Sequence, residues 1–266
     1  MHPIERLRYL ARSSGADQRV LVNETASALR ALRMDPAGLV VSCRRIVERH
    51  PTSGPLWWLC SHMLVASDPS SVARELAAAL EMDPTPAFLA DSLPEDATVL
   101  VIGWPDLAGE ACLDRGDLTV LTVDADDQGA SFVRRLERSD VVAEIVEPSG
   151  IGAAVLAADL VLIEATAAST TELLATRGSR AAASVAYCSE VPVWAVLGRG
   201  RCLPDAAFAS LVTGVADVRV PWDATADVVP LALATYLASE RGVLPIGDVT
   251  LAPECPLTHE LLRSTR

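Results

Sequence analysis

The sequence predicts an α/β protein in which an N-terminal helical domain is followed by a doubly wound, mostly parallel sheet. Two observations carry this reading. Before residue 94 the apolar residues fall only at helical spacing, as in Val40, Val41, Cys43, Ile46 and Val47. From Thr98 onward, short β-branched runs that are apolar almost throughout alternate with segments of helical character. Strands of that kind, separated by helices, form parallel sheets covered on both faces, a Rossmann-like arrangement. The expected division is a helical domain over 1–93 and an α/β domain over 94–266.

The elements follow in chain order. Helices are expected at about 3–13, 17–33, 36–49, 54–66, 69–81 and 84–91. Three pairs, Asp35-Pro36, Asp68-Pro69 and Asp83-Pro84, each offer an N-cap acid before a proline at the first helical position. In "HPTSGPLWWLCSHML" Ser53 caps the next helix, and Trp57 and Trp58 stand about 100° apart on it. One therefore enters the helical core while the other covers the α/β domain, a partner chain or a ligand. Strands are expected over 98–103, 118–123, 141–146, 160–165 and 191–197, with a sixth near 216–220. Helical segments at about 106–115, 127–138, 149–157 and 175–188 lie between them.

Composition excludes several classes of function. No apolar run reaches the roughly 18 residues that a bilayer-spanning helix needs, so no membrane partner is expected. "MHPIERLRYLARSSG" carries charges every two or three residues, which predicts no signal peptide and a cytoplasmic location. The six cysteines show neither a CxxC nor a Cys/His ligand spacing, so they read as reduced, packed thiols and no metal site is expected. All 22 basic residues are arginine, which excludes a Schiff-base lysine. A net charge of −13 without a basic patch argues against a nucleic-acid partner.

In open α/β sheets ligands bind beyond the carboxyl ends of the strands, where loops meet helix N-termini. There the sequence places Gly103-Trp104-Pro105, then Asp124, Asp126 and Asp127, then Glu164 and Thr166, and finally Gly198-Arg199-Gly200-Arg201. Asp124 lies at about the 20-residue separation from Gly103 that a ribose-binding acid adopts. However, "GWPDLAG" lacks the clustered glycines of a dinucleotide turn, and capping of the next helix by Asp126 or Asp127 is the simpler use of these acids. "DADDQG" is too short for a calcium loop. No GxSxG occurs and the four histidines lie away from strand-end serines, so no Ser-His-Asp triad is predicted. No cofactor is expected.

Three segments carry a resemblance to the translation initiation factor 2B α/β/δ family, which includes regulatory subunits and the ribose-1,5-bisphosphate and methylthioribose-1-phosphate isomerases. "ERHPTSGPLWWL" is similar to the family's Arg-Pro-Thr segment, which meets a substrate phosphate. "ADLVLIEATAASTTELLATRGSRAAASVAYCSEVPVWAV" resembles its D-x-V-L-V-G-A-D-A run, the N-K-x-G-T loop and the V-P-V strand. "PLTHELL" is similar to its T-P-x-E-L-I segment. The resemblance implies a homodimer paired through the α/β domain. With the strand-end residues above, it makes His50, Thr52, Ser53, Asp124 and Thr166 the candidates for ligand binding, together with Arg177, Gly178, Ser179 and Arg201.

The departures from the family pattern set the functional expectation. Its isomerases use a cysteine after the first strand and an aspartate after the fourth to move a proton between C1 and C2. Here no cysteine follows the first strand until Cys112, and Thr166 holds the aspartate's place. Ala175-Thr176 replaces Asn-Lys, and His50 replaces the arginine before proline. A sugar phosphate needs cations and N–H groups, whereas Asp124, Asp126, Asp127 and Glu164 gather acids at this place and leave Gly178-Ser179 to meet an anion. The expected function is a non-catalytic binding or regulatory protein with a degenerate sugar-phosphate pocket, sensing a small anionic metabolite. The alternative is an aldose–ketose isomerase with a rearranged site and Glu164 as a relocated base; against it stands a salt bridge from Glu164 to a nearby arginine. The all-arginine composition, with abundant Ala and Val, reads as bacterial, where the eukaryotic-type partner of nucleotide exchange is not expected.

Overall fold

A computed structural model describes residues 17–30, 35–216 and 220–262. The N-terminal segment supplies α1 (Gln18–Leu29), α2 (Pro36–Arg49), α3 (Gly54–Val65), α4 (Pro69–Glu81) and α5 (Thr85–Ser92). Two of the three acid-before-proline signals act as expected. Asp35 accepts from the Gly38 N–H and Asp68 from those of Ser70 and Ser71, satisfying first-turn donors that a helix leaves unpaired. At the third, Pro84 holds the N-cap position of α5 in place of Asp83; Asp83 still accepts from the Thr85 N–H, while its other oxygen accepts from Arg199 N–H at 2.8 Å. The expected helix at 3–13 lies outside the described residues.

The second part alternates as predicted: β1 (Thr98–Ile102), α6 (Leu107–Arg115), β2 (Thr119–Val123), α7 (Gly129–Glu137), β3 (Val142–Val146), α8 (Ile151–Ala157) and β4 (Leu160–Ala168). It continues through β5 (Glu172–Thr176), α9 (Ser179–Cys188), β6 (Val193–Val196) and α10 (Asp205–Ala216), then β7 (Ala226–Pro230), β8 (Tyr236–Ser239) and β9 (Gly242–Pro245). The principal order is β3-β2-β1-β4-β6-β8-β9, with β3, β2, β1, β4, β6 and β8 parallel and β9 antiparallel on the edge.

Two expectations need correction. The strand at 160–165 runs on to Ala168, where its far end pairs antiparallel with β5, which in turn pairs with β7. The helix expected from 175 therefore starts only at Ser179, because Ala175 and Thr176 belong to β5. The strand expected near 216–220 falls mostly on 217–219, which lie outside the described residues; Ala216 ends α10, and the later strands are β7, β8 and β9.

Side chains of the central strands alternate between two cores, as double winding requires. Leu100, Ile102, Val161 and Ile163 join Ala154, Val155 and Ala182 of α8 and α9 on one face. Val99, Val101, Leu160 and Leu162 meet Leu107, Cys112 and Phe132 of α6 and α7 on the other, and Leu89 of α5 belongs to that same core. A third core holds α1–α4 together with Ala167 of β4, Leu174 of β5, Phe208 of α10 and Leu261. Within it α3 is buried nearly all round, so Trp57 and Trp58 are both enclosed, at 3% and 4% exposure. Trp58 meets the α/β part directly, its indole lying where a side chain on Gly200 would stand.

Candidate functional site

The site forms where β1, β4 and β6 end. After Ile102 the chain turns at Gly103, whose φ of +66° is a left-handed conformation open to glycine. It passes Trp104-Pro105-Asp106 and enters α6. Glu164 reaches across from β4, and its Oε2 accepts the N–H groups of Leu107 and Ala108 at 2.8 and 3.0 Å. A carboxylate from a neighbouring strand thus caps the positive end of α6. Its Oε1 accepts from Arg201 Nη1 at 2.8 Å, with the two side chains only 9% and 3% exposed. Arg201 arrives on the Gly-Arg-Gly-Arg turn. A Cβ on Gly198 would lie 2.3 Å from Leu107 Cδ1, and one on Gly200 2.9 Å from the Trp58 ring, so both glycines are required by close approach.

Glu164, Asp106, Arg201 and Trp104 line a cavity of about 210 Å³. Thr52, Thr166, Thr176, Ser179, Gln18 and Gln128 complete its polar wall. Asp106 Oδ2 accepts from the Gln18 N–H at 3.2 Å. Burial, then the neighbouring Glu164, push the Asp106 carboxyl up from 3.8 to about 7, while Arg201 pulls it the other way. On the other side of Trp104 lies a second cavity of about 310 Å³ lined by Arg19, Glu110, Phe132 and Arg135. Phe132 packs on Trp104 with centroids 5.8 Å apart, and the Arg135 guanidinium carbon is 5.9 Å from the indole centroid. A third cavity of about 190 Å³ shares Thr52, Trp104, Thr166 and Thr176 with the first.

Of the residues singled out in the sequence, Thr52, Glu164, Thr166, Ser179 and Arg201 meet around the first cavity. The others lie elsewhere. His50 ends α2 half-buried, its basicity lowered by burial and then by Arg49. Ser53 is buried as the cap of α3 and donates to Gln18 Oε1. Asp124, rather than Asp126 or Asp127, turns its carboxylate to the start of α7 and accepts from the Gly129 N–H at 2.8 Å. Arg177 pairs with Asp126 at 2.6 Å. The anion site expected at Gly178-Ser179 is met by the chain itself: Asp227 Oδ2 accepts the N–H groups of Gly178 and Arg180 at 2.9 and 3.0 Å.

Asp106, Gln18, Gln128 and Asp227 were not predicted. Asp106 had a signal, since it follows Trp104-Pro105 at the end of the first strand. Gln18 and Asp227 arrive through long-range packing, the latter on a strand the sequence did not reveal.

The architecture is that of an α/β protein with an N-terminal helical region and a strand-end polar cavity. No protein-family model matches the chain, and no curated protein matches it in sequence. Solved structures do share its fold. The translation initiation factor eIF-2B of Pyrococcus horikoshii OT3 aligns with a TM-score of 0.78 at 15% identity, covering 91% of this chain and 96% of its own. The 5-methylthioribose 1-phosphate isomerase of the same organism aligns with a TM-score of 0.66 at 14% identity, over 91% and 84%. The eIF2B beta subunit of Chaetomium thermophilum gives 0.65 at 16% identity, over 92% and 86%. These likenesses establish the fold; the chemistry rests on the residues of this chain. Among the described residues no helix is long and apolar enough to cross a membrane.

Proposed function

We propose that the chain is a member of the initiation factor 2B α/β/δ-like family that binds a small molecule in a regulatory role, without turnover, as a cytoplasmic homodimer. The observation that carries this is the capping of two helices, one of them at the cavity, by the protein's own carboxylates. Glu164 occupies the N–H groups that open α6, and Asp227 those that open α9. A phosphate seeks such backbone donors. Thr166 adds to the argument: its hydroxyl donates to Leu174 O at 3.1 Å, bracing β5 where the family's isomerases hold a catalytic aspartate. We therefore read the sugar-phosphate pocket as degenerate. The test is to incubate the protein with ribose 1,5-bisphosphate and with methylthioribose 1-phosphate and follow the sugar by NMR. No ketose is expected, and steady conversion at catalytic protein concentration would overturn the reading.

One observation favours isomerisation as a second reading. Asp106 titrates near neutrality beside Glu164, and a carboxyl group poised near the working pH suits proton transfer. On that reading Asp106→Asn removes a turnover that the wild type displays.

A further inference from the structure

The first cavity is polar and carries no surplus of positive charge. Arg201 is its cation, and that charge is already committed to Glu164 Oε1 and the Ala165 carbonyl. Asp106 adds a second carboxyl group facing the same space. An entering phosphate would meet two acids and a single engaged guanidinium, an arrangement that repels it. Neutral hydrogen-bonding groups are abundant instead. Ser179 is only 2% exposed and lines the cavity, yet its hydroxyl has no hydrogen-bond partner among the described residues. The hydroxyls of Thr52 and Thr176 and the amide of Gln128 are likewise without partners among the described residues. These groups line the cavity and are open to hydrogen bonds from something that enters.

The aromatic wall points the same way. Phe132 and Arg135, which pack on Trp104, line the second cavity but not the first. Trp104 lines the first cavity as well, without these two. An apolar ring surface beside carboxylates and hydroxyls suits a molecule with C–H faces and several O–H groups: the ring covers the former, and the carboxylates accept from the latter.

We propose that the cavity between Trp104 and Ser179 binds an uncharged polyhydroxylated molecule, a free sugar or polyol, in preference to its phosphate ester. The inference rests on the reading of the chain as a small-molecule binder and replaces the anionic ligand with a neutral one. Asp106 and Glu164 accept ligand hydroxyls, Ser179 and Thr52 complete the network, and the acid pair discriminates against phosphate.

The experiment is a calorimetric titration of the full chain with D-ribose, D-xylose, D-glucose and myo-inositol. Each is run beside a monophosphate of the same compound and beside inorganic phosphate. At least one neutral compound is expected to bind, with its monophosphate at least about tenfold weaker, since a lost or opposed charged hydrogen bond is worth that much. Ser179→Ala breaks no internal hydrogen bond of the described residues, so it is expected to keep the wild-type melting temperature while binding the neutral compound about three- to tenfold more weakly. Asp106→Asn keeps an oxygen for the Gln18 N–H and serves as the second variant, with a larger loss expected. Tighter binding of the monophosphates than of the neutral compounds would overturn the inference and leave the binding reading standing. Unchanged affinity in both variants would also overturn it. Conversion of any of these sugars would overturn the non-catalytic reading instead, and binding of none of the compounds would overturn both.

Discussion

Arg201 Nη1 lies 2.8 Å from Glu164 Oε1, and the two side chains, only 3% and 9% exposed, form a largely buried ion pair where the parallel pairing of β4 ends. Surface pairs contribute little, but removing one member of a buried pair leaves an uncompensated charge in a poor solvent. Arg201→Met is therefore expected to cost about 3–5 kcal/mol. Glu164→Gln should cost less, because the amide oxygen can still accept from Leu107 or Ala108. Urea denaturation of both variants checks the order, and a loss below about 1 kcal/mol for Arg201→Met would contradict the pair's burial.

The Gly200–Trp58 contact gives a second prediction. Gly200 has a φ of +75°, and a Cβ there would stand 2.9 Å from the indole. Gly200→Ala combines backbone strain with overpacking, each worth about 1–3 kcal/mol. Trp58→Leu relieves the overpacking alone. In a double-mutant cycle the combined loss should fall short of the sum of the single losses. Strict additivity would mean that the ring does not limit the glycine.

Asp106 makes stability depend on pH in an unusual sense. Its carboxyl titrates near 7 when folded, against an ordinary value of 3.8. Between those values the folded protein holds a proton that the unfolded chain has released, so this group's contribution to stability falls as pH rises from about 4 to 7 and is level above. Asp106→Asn removes that slope. Denaturant titrations at several pH values should show the variant gaining on the wild type across the interval; parallel curves would refute the assignment.

Asp227→Ala exposes the Gly178 and Arg180 N–H groups. A loss of about 1 kcal/mol is expected, typical of a removed cap. Phosphate or sulfate should then restore part of the melting temperature in the variant and leave the wild type unmoved. An equal response in both proteins would show that the carboxylate does not guard this helix end.

The sequence revealed most where structure is local. Asp-Pro caps and β-branched runs depend on neighbours within a turn, so α2, α4 and the strands from β1 to β3 emerged almost at their true limits. It failed where partners are distant. "TTELLAT" has no strong preference of its own and becomes β5 because the extended end of β4 and the distant β7 offer it hydrogen bonds on both sides. The site divides in the same way. Thr52, Glu164, Thr166, Ser179 and Arg201 follow from strand-end logic, whereas Gln18 reaches the cavity from the far end of the helical segment, and Asp227 reaches the start of α9 from a strand hidden in the sequence. Neither announces itself by spacing.

The junction at Gly54 bears on how such a fold persists. A Cβ there would lie 2.8 Å from the Thr166 carbonyl oxygen and 3.2 Å from the Ala167 Cα, so the helix start rests on the main chain of β4 itself. Main chain against main chain is indifferent to which side chains a lineage acquires, provided that one position stays without a side chain. Mutations can accumulate on both sides of such a seam while the two parts keep their docking. The fold itself is shared at 15% identity by a solved structure that aligns over 91% of this chain.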